Sequence, residues 1–525
     1  MLCEKCGIRE ANIKYTEVFN GVKTEHNLCA QCAKEMDLGP YSALIEGEFP
    51  LGKLLSSLLG LTDASASQAP KEDVVCPTCG TTYEEFIKNS RFGCADCYHV
   101  FDPLLGEKIK KLQENSSHTG KHPKIQPRSQ AAAEVTKKGE LEFSPEEQIK
   151  QLKRRLEAAL QEEDYETAAA CRDKIHSLEG EMTKWFEEVA NDASNIVSSR
   201  VRLSRNWEEY KFPSRLEPDE ARTMIARLKQ NFRDLGDRDG QFYEYEDLEL
   251  MEKLDRTALR ERRLLNRTLA EKTTPGGILC SEDERVSMVL NADDHIRLQV
   301  LASGLDLQEC YAKADALDDY INEKIPYAFN EKYGYLTSYP TNVGTAMKAS
   351  VVVHLPSLTM SKKFQELLGD MGRFGTTVRG VYGRGNENYG DLYEVVNQKT
   401  LGITEQEILE LVANVAGQLS AQENQFREVS LSRHRLERED EAYKSYGVLK
   451  YARRMTLKEA MTFLSHVWAG IADGLLKPAE LVSIYRLMIG IQPANLQKRS
   501  SKPLGREELE AERARYLREE LPKLV

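Results

Sequence analysis

Within five residues the chain sets Asp293, Asp294, His295 and Arg297. A carboxylate there could orient a nucleophile and accept its proton, while a guanidinium neutralises charge on a migrating phosphoryl group. The stretch before it alternates, with Val286, Met288 and Leu290 set against Arg285, Ser287 and Asn291. If that strand continues, Asp293, His295 and Arg297 share one face; taken alone, a solvated edge of mixed charges would look the same. Ser198-Ser-Arg-Val-Arg-Leu-Ser-Arg205 adds weight by putting Arg200 and Arg202 on one face of another strand. Paired guanidinium forks suit phosphate oxygens, because each donates two parallel charge-assisted hydrogen bonds. A turn-rich loop from Tyr335 leads into a strand carrying Lys348, and Val378–Gly385, with Arg379, is a glycine-rich loop able to close over a ligand.

A second chemistry sits in the first hundred residues. Of the 11 cysteines, those of four Cys-x-x-Cys pairs fall into two sets: Cys3/Cys6 with Cys29/Cys32, and Cys76/Cys79 with Cys94/Cys97. A two-residue gap lets both thiolates of a pair face one ion, and two pairs complete a tetrahedral shell around Zn²⁺. Redox dithiols are the alternative. A closed all-thiolate shell leaves no open coordination position, so these knuckles should organise the fold rather than catalyse.

The elements that must position these groups come from periodicity and composition. The chain has 525 residues, 30% of them charged, and a formal charge of −12, with a mean hydropathy of −0.53. Several domains are expected. No apolar run reaches the roughly 18 residues of a membrane span, and Met1-Leu-Cys-Glu-Lys-Cys begins no hydrophobic leader, so a cytoplasmic protein without a membrane partner is expected. The acidic balance argues against broad nucleic-acid affinity.

Leu51, Leu54, Leu55, Leu58 and Leu59 follow helical spacing between the cysteine sets, either to pack on the second knuckle or to dock another domain. Residues 107–143 read as a flexible tether. Ser144-Pro145 opens a helical pattern through Ile149, Leu152, Leu156 and Leu160, and Ala168, Cys171, Ile175 and Leu178 resume it after a break. That is an antiparallel helix pair, or an ordinary coiled-coil spacer. Leu457, Ala460, Met461, Leu464, Val467 and Trp468 begin a helical C-terminal region. The expected divisions are knuckles at 1–38 and 74–106, a linker with an amphipathic helix at 39–73, the tether, a helical hairpin at 144–182, a large domain at 183–432 and helices at 433–525.

Glu163–Ile175 resembles the UVR motif, and with both knuckles residues 1–180 resemble the McsA family of zinc-binding activators. From about residue 183 onward, the arginine pair, the Tyr335–Pro356 segment and the glycine-rich loop resemble the ATP:guanido phosphotransferase (phosphagen kinase) family, and within it the McsB-type protein-arginine kinases. The resemblance implies a multidomain α+β chain in which an activator is fused to a kinase. It implies an eight-stranded antiparallel sheet flanked by helices, with nucleotide in a saddle. Arg200, Arg202, Arg297 and Arg379 would then hold the ATP phosphates, with Lys348 where the family has another arginine. Asp293 falls on the second Glu of Asn-Glu-Glu-Asp-His, and Ala292 replaces the first. Tyr339 replaces a cysteine, and Arg384 stands where a loop acid is expected; Glu387 is the substitute acid.

The implied activity is Mg²⁺·ATP-dependent phosphorylation of arginine in proteins, with Zn²⁺ in the activator. The alternatives are a degenerate pseudokinase adaptor that binds nucleotide or phosphoarginine, and a DNA-repair coupling device. The resemblance also implies a homodimer, and a Clp-type ATPase or a transcriptional repressor as partners. Small-molecule members carry a helical lid before the Ser-Ser-Arg-x-Arg motif. Here the motif follows the hairpin directly, so an open pocket is expected. In the family's phosphoarginine-reading Arg-Asp-x-x-Arg-Ala motif, Leu509–Ala514 matches only at Arg513 and Ala514.

Overall fold

The computed structural model describes residues 13–19, 22–28, 74–124, 183–189, 195–361, 364, 367–368, 375–383 and 388–525. Strands β1 (Ile13–Phe19) and β2 (Val22–Leu28) form an antiparallel hairpin in the span between Cys6 and Cys29. Cys3, Cys6, Cys29 and Cys32, the leucine stretch at 51–59 and the helical hairpin at 144–182 lie outside the described residues.

The second cysteine set heads a small module with helices α1 (Tyr83–Asn89), α2 (Asp96–Val100) and α3 (Asp102–Gln113). Thr82-x-x-Glu85 starts α1 as a capping box: the Thr82 hydroxyl accepts from the Glu85 amide at 3.0 Å, and the Glu85 carboxylate from the Thr82 amide at 3.1 Å. Phe86, Phe92, Tyr98 and Phe101 stack into a core that does not close on itself. It continues into Phe212, Ala328, Tyr333, Leu336, Val343 and Leu401 of the large domain.

Residues 107–124 correct the expected tether. α3 runs to Gln113, whose side chain donates to the Pro340 carbonyl at 3.1 Å and accepts from the Thr400 amide at 3.0 Å. Lys121 then reaches Asp315 at 2.6 Å and Asp319 at 2.7 Å. The polar composition that suggested a tether belongs here to groups paired across an interior interface.

The large domain is an eight-stranded antiparallel sheet. Its strands are β3 (Ile196–Arg205), β4 (Tyr243–Asp247), β5 (Gly277–Ser281), β6 (Val286–Leu290), β7 (Ile296–Ser303), β10 (Met347–His354), β11 (Thr376–Gly380) and β12 (Leu392–Asn397). They lie in the order β11-β12-β10-β3-β7-β6-β5-β4. The two-residue strands β8 (Phe329–Asn330) and β9 (Gly334–Tyr335) make a separate hairpin.

Directly paired residues share a face, so the register sorts the side chains. One face presents Val201, Leu203, Met288, Leu298, Val300, Ala349 and Val351. It packs on α4 (Pro218–Asn231), α5 (Leu235–Asp239), α8 (Leu307–Lys324) and the first half of α10 (Glu405–Tyr451). Each such valine, leucine or methionine side chain, fully withdrawn from water, stabilises the domain by roughly 1.5–3 kcal/mol. The helices α6 (Lys253–Glu261), α7 (Arg267–Glu271) and α9 (Pro356–Thr359) border the sheet.

The other face carries Ile278, Val289, Leu301 and Val352, against α11 (Leu457–Ala472), α12 (Ile484–Gly490), α13 (Pro493–Lys498) and α14 (Arg506–Glu520). Trp185 packs into the same cluster. The helical run of α10 is interrupted at His434 (φ −133°, ψ 34°). Among the described residues no helix is long and apolar enough to cross a membrane.

Candidate active site

On the second face the apolar cover gives way to a cationic patch built by strand register. β3 places Arg200 beside Ser350 of β10 and Leu301 of β7, and Arg202 beside Lys348 and Gln299. β7 adds Arg297, and β11 places Arg379 directly opposite Glu394 of β12. Glu394, 4% exposed, is the hub. Its carboxylate accepts from Arg200 at 2.5 Å, from Arg379 at 2.9 and 3.2 Å, from Ser350 Oγ at 3.1 Å, and from Arg263. Arg263 follows α6 with a left-handed backbone (φ +70°), and its side chain reaches Glu394 of β12.

One carboxylate does not balance this many cations. Burial, and then the neighbouring arginines, pull Arg200 well below the ordinary guanidinium range. Burial with Arg297 nearby brings Arg202 to about 9, and burial with Arg200 nearby brings Arg297 to about 10. Lys348 falls to about 7 through burial and its neighbours Arg202 and Arg379. Burial opposes the charge on Glu394, yet the surrounding arginines hold its carboxyl well below the usual range. Arg202 Nε and Arg263 Nη1 are buried without a hydrogen-bond partner. Such donors cost free energy until an acceptor arrives, so the patch fits a polyanion of the triphosphate kind. Mg²⁺ would come with it, ligated chiefly by phosphate oxygens and water.

The acidic cluster lies at the rim of this patch, in a turn rather than on a strand. β6 ends at Leu290, Asn291 turns with φ +56°, and β7 begins at Ile296. The expectation that Asp293, His295 and Arg297 share a strand face is corrected: Asn291 pairs back to His295, closing the turn. Asp294 is buried, accepting from Asn206 Nδ2 at 2.8 Å and the Ser338 amide at 2.7 Å, and burial lifts its pKa to about 6.

His295 is buried too. It accepts at Nδ1 from the Trp207 amide at 3.0 Å and donates from Nε2 to the Lys211 carbonyl at 2.8 Å. Burial takes it down to about 4, so it is a neutral structural imidazole. Asp293 alone is left facing outward, its side chain 31% exposed. Lys272, brought to about 8 by burial and nearby Arg91 against the opposing pull of Asp293, donates to the Asn291 carbonyl and holds the turn.

The pocket expected to stand open is covered on this side by the zinc-binding module. Arg91 Nη2 donates to Asp293 Oδ1 at 3.3 Å, Arg91 Nε donates to the Tyr339 hydroxyl, and the guanidinium lies 4.7 Å from the Tyr339 ring centroid. Spacing to the missing lid gave no sign that another part of the chain would occupy its place.

Cys76, Cys79, Cys94 and Cys97 converge as their spacing predicts, with sulfur–sulfur distances of 3.6, 3.4 and 3.8 Å. A tetrahedron of zinc–thiolate bonds has edges of about 3.8 Å, so the four sulfurs fit one Zn²⁺. Arg384 and Glu387 lie outside the described residues. Arg513 is 3% exposed and donates to the carbonyls of Ile491 at 3.0 Å and Met455 at 2.9 Å, the work of a packing residue. The sequence reading missed Glu394, Arg263, Lys272 and Arg91. Glu394 left one signal, a lone acid inside the apolar strand Leu392-Tyr-Glu-Val-Val396; the other three left none.

An antiparallel sheet bearing converged guanidiniums beside an outward carboxylate is the arrangement of a guanidino phosphotransferase domain. The family model for the ATP:guanido phosphotransferase C-terminal catalytic domain matches residues 223–426, and that for the protein-arginine kinase McsB C-terminal domain matches 435–525. The McsA central zinc-finger domain matches 74–120 and the UvrB/uvrC motif 146–181.

Curated relatives include the protein-arginine kinase of Bacillus velezensis, 39% identical over 66% of this chain and 95% of that one. Those of Caldanaerobacter subterraneus (39%, over 63% and 98%) and Bacillus subtilis (38%, over 66% and 95%) are comparably similar. The chain belongs to the protein-arginine kinase family. Among solved structures it is similar to the duplicated taurocyamine kinase of Schistosoma mansoni, with a TM-score of 0.47 and 20% identity over 74% of this chain and 48% of that one.

Proposed function

We propose that this chain transfers the γ-phosphoryl group of Mg²⁺·ATP to arginine side chains of proteins, with its zinc-binding module fused as an activator. The observation that carries this reading is the excess of cations converging on buried Glu394, Arg200 and Arg297 among them buried, with Asp293 at the rim. Arg200, Arg202, Arg297, Arg379 and Lys348 grip the phosphates and take up charge as the phosphoryl group moves. The accepting guanidinium is a cation with a pKa above about 12. Asp293 orients it and takes its proton as nitrogen attacks phosphorus, and Glu387 is the second acid on the loop side.

On the same reading the partners are proteins presenting arginine. A Clp-type ATPase or a repressor as partner and a homodimeric state rest on the family resemblance alone, and a cytoplasmic location rests on the sequence's lack of a long apolar run or hydrophobic leader.

The test incubates the purified protein with labelled ATP and an unfolded protein substrate. Label that is labile in acid and tolerant of base is expected. Asp293→Asn should lower the rate by at least about 10²-fold, as loss of a general base does, with nucleotide affinity unchanged. Equal activity in the variant removes Asp293 from the mechanism; nucleotide binding without any transfer supports the adaptor reading instead.

A further inference from the structure

The zinc-binding module brings one of its own arginines to Asp293, the acid that the kinase reading assigns to the substrate guanidinium. α1 ends at Ser90 in the left-handed region (φ +55°), turning the chain toward the large domain. The next residues are pinned from several sides. The Phe92 amide donates to the Ser338 carbonyl at 2.8 Å, Ser214 Oγ donates to the Phe92 carbonyl at 3.3 Å, and the Phe212 amide donates to the Gly93 carbonyl at 2.8 Å. A Cβ on Gly93 would lie 2.3 Å from Thr81 Oγ1 and 2.8 Å from Cys79 Sγ, so the approach tolerates no side chain there.

Held in this way, Arg91 directs a terminal nitrogen at Asp293 Oδ1 (3.3 Å) and lays its guanidinium over Tyr339. The Ser338 hydroxyl donates to the Asp293 backbone carbonyl at 2.6 Å, so the docking strip and the acid are tied together.

We propose that Arg91 is itself a phosphoryl acceptor, modified in cis by the domain on which its module docks. The inference rests on the kinase reading above. Arg91 Nη2 forms the N–P bond while the bond from the γ-phosphorus to the β,γ-bridging oxygen breaks. ADP leaves with that electron pair, and the guanidinium proton passes to the Asp293 carboxylate and on to water. The guanidinium is held to the acid by one long hydrogen bond and its side chain is 37% exposed, its other contacts being to Tyr339, so leaving the acid costs a single weak bond. The transferred phosphoryl group brings close to two negative charges to face Asp293. That repulsion expels Arg91 and frees the acceptor position for an arginine from outside.

The full-length, zinc-loaded protein is incubated with Mg²⁺·ATP across a hundredfold range of protein concentration, and phosphoarginine is located by mass spectrometry without acid. Label at Arg91 is expected with a first-order rate independent of protein concentration. Arg91→Lys should lose that label while retaining its zinc. Arg91→Ala should lower the initial KM for an unfolded protein substrate about tenfold relative to the parent before its Arg91 is modified, because a tethered competitor at roughly millimolar effective concentration is gone. Transfer to the external protein with none at Arg91 overturns the proposal, as does a rate proportional to protein concentration. Absence of transfer to any arginine, external ones included, overturns the kinase reading itself.

Discussion

Glu394→Gln isolates the charge imbalance on which the site depends. The substitution keeps size and shape but removes the one carboxylate that Arg200, Arg263 and Arg379 share. Breaking one partner out of a buried ion pair costs about 3–5 kcal/mol, because the charges left behind are out of water and unpaired. Glu394 is 4% exposed and accepts from three guanidiniums, so the upper half of that range is expected for the unliganded protein. A triphosphate supplies the missing negative charge. Nucleotide at a hundred times its Kd stabilises by about 2.7 kcal/mol in the unmodified protein. In the variant it should restore more than that, with Kd lowered about tenfold for each guanidinium hydrogen bond redirected from Glu394 to phosphate. Urea unfolding followed by tryptophan fluorescence, with and without Mg²⁺·ATP, reads both quantities. A variant as stable as the parent without nucleotide, or one that binds nucleotide more weakly, would refute the idea that Glu394 holds the place of the phosphates.

Two further outcomes follow from the same geometry. Lys348 titrates at about 7 in the free protein through burial and its arginine neighbours. Bound phosphate favours its charged form, so nucleotide Kd should be flat below pH 7 and rise above it, approaching tenfold per pH unit. Lys348→Arg keeps its charge and should flatten that rise; fluorescent-nucleotide titration from pH 6 to 9 checks it. Chelating Zn²⁺ from Cys76, Cys79, Cys94 and Cys97 should loosen the aromatic core that the module shares with Phe212 and Leu336. Limited proteolysis should then cut within residues 74–124, and a chelated protein as resistant as the untreated one would separate the metal from the docking.

What the chain alone determined is whatever local spacing encodes. Cys-x-x-Cys pairs fix a four-sulfur site, because two intervening residues suffice to aim both thiolates at one point. Strand alternation likewise fixes that Arg200 and Arg202 point the same way and that Val286, Met288 and Leu290 face a core. The tertiary structure alone decided which of these meet. The turn at Asn291–His295 broke an alternation that the sequence left open, turning His295 and Asp294 inward and Asp293 out. Glu394 and Arg263 are 131 residues apart and come together through strand order, which no local pattern carries. Arg91 lies 202 residues from Asp293, and its position depends on a hydrophobic core completed by two separate parts of the chain. Local periodicity reports the direction of a side chain, whereas its partner is set by the burial of surfaces distant in sequence.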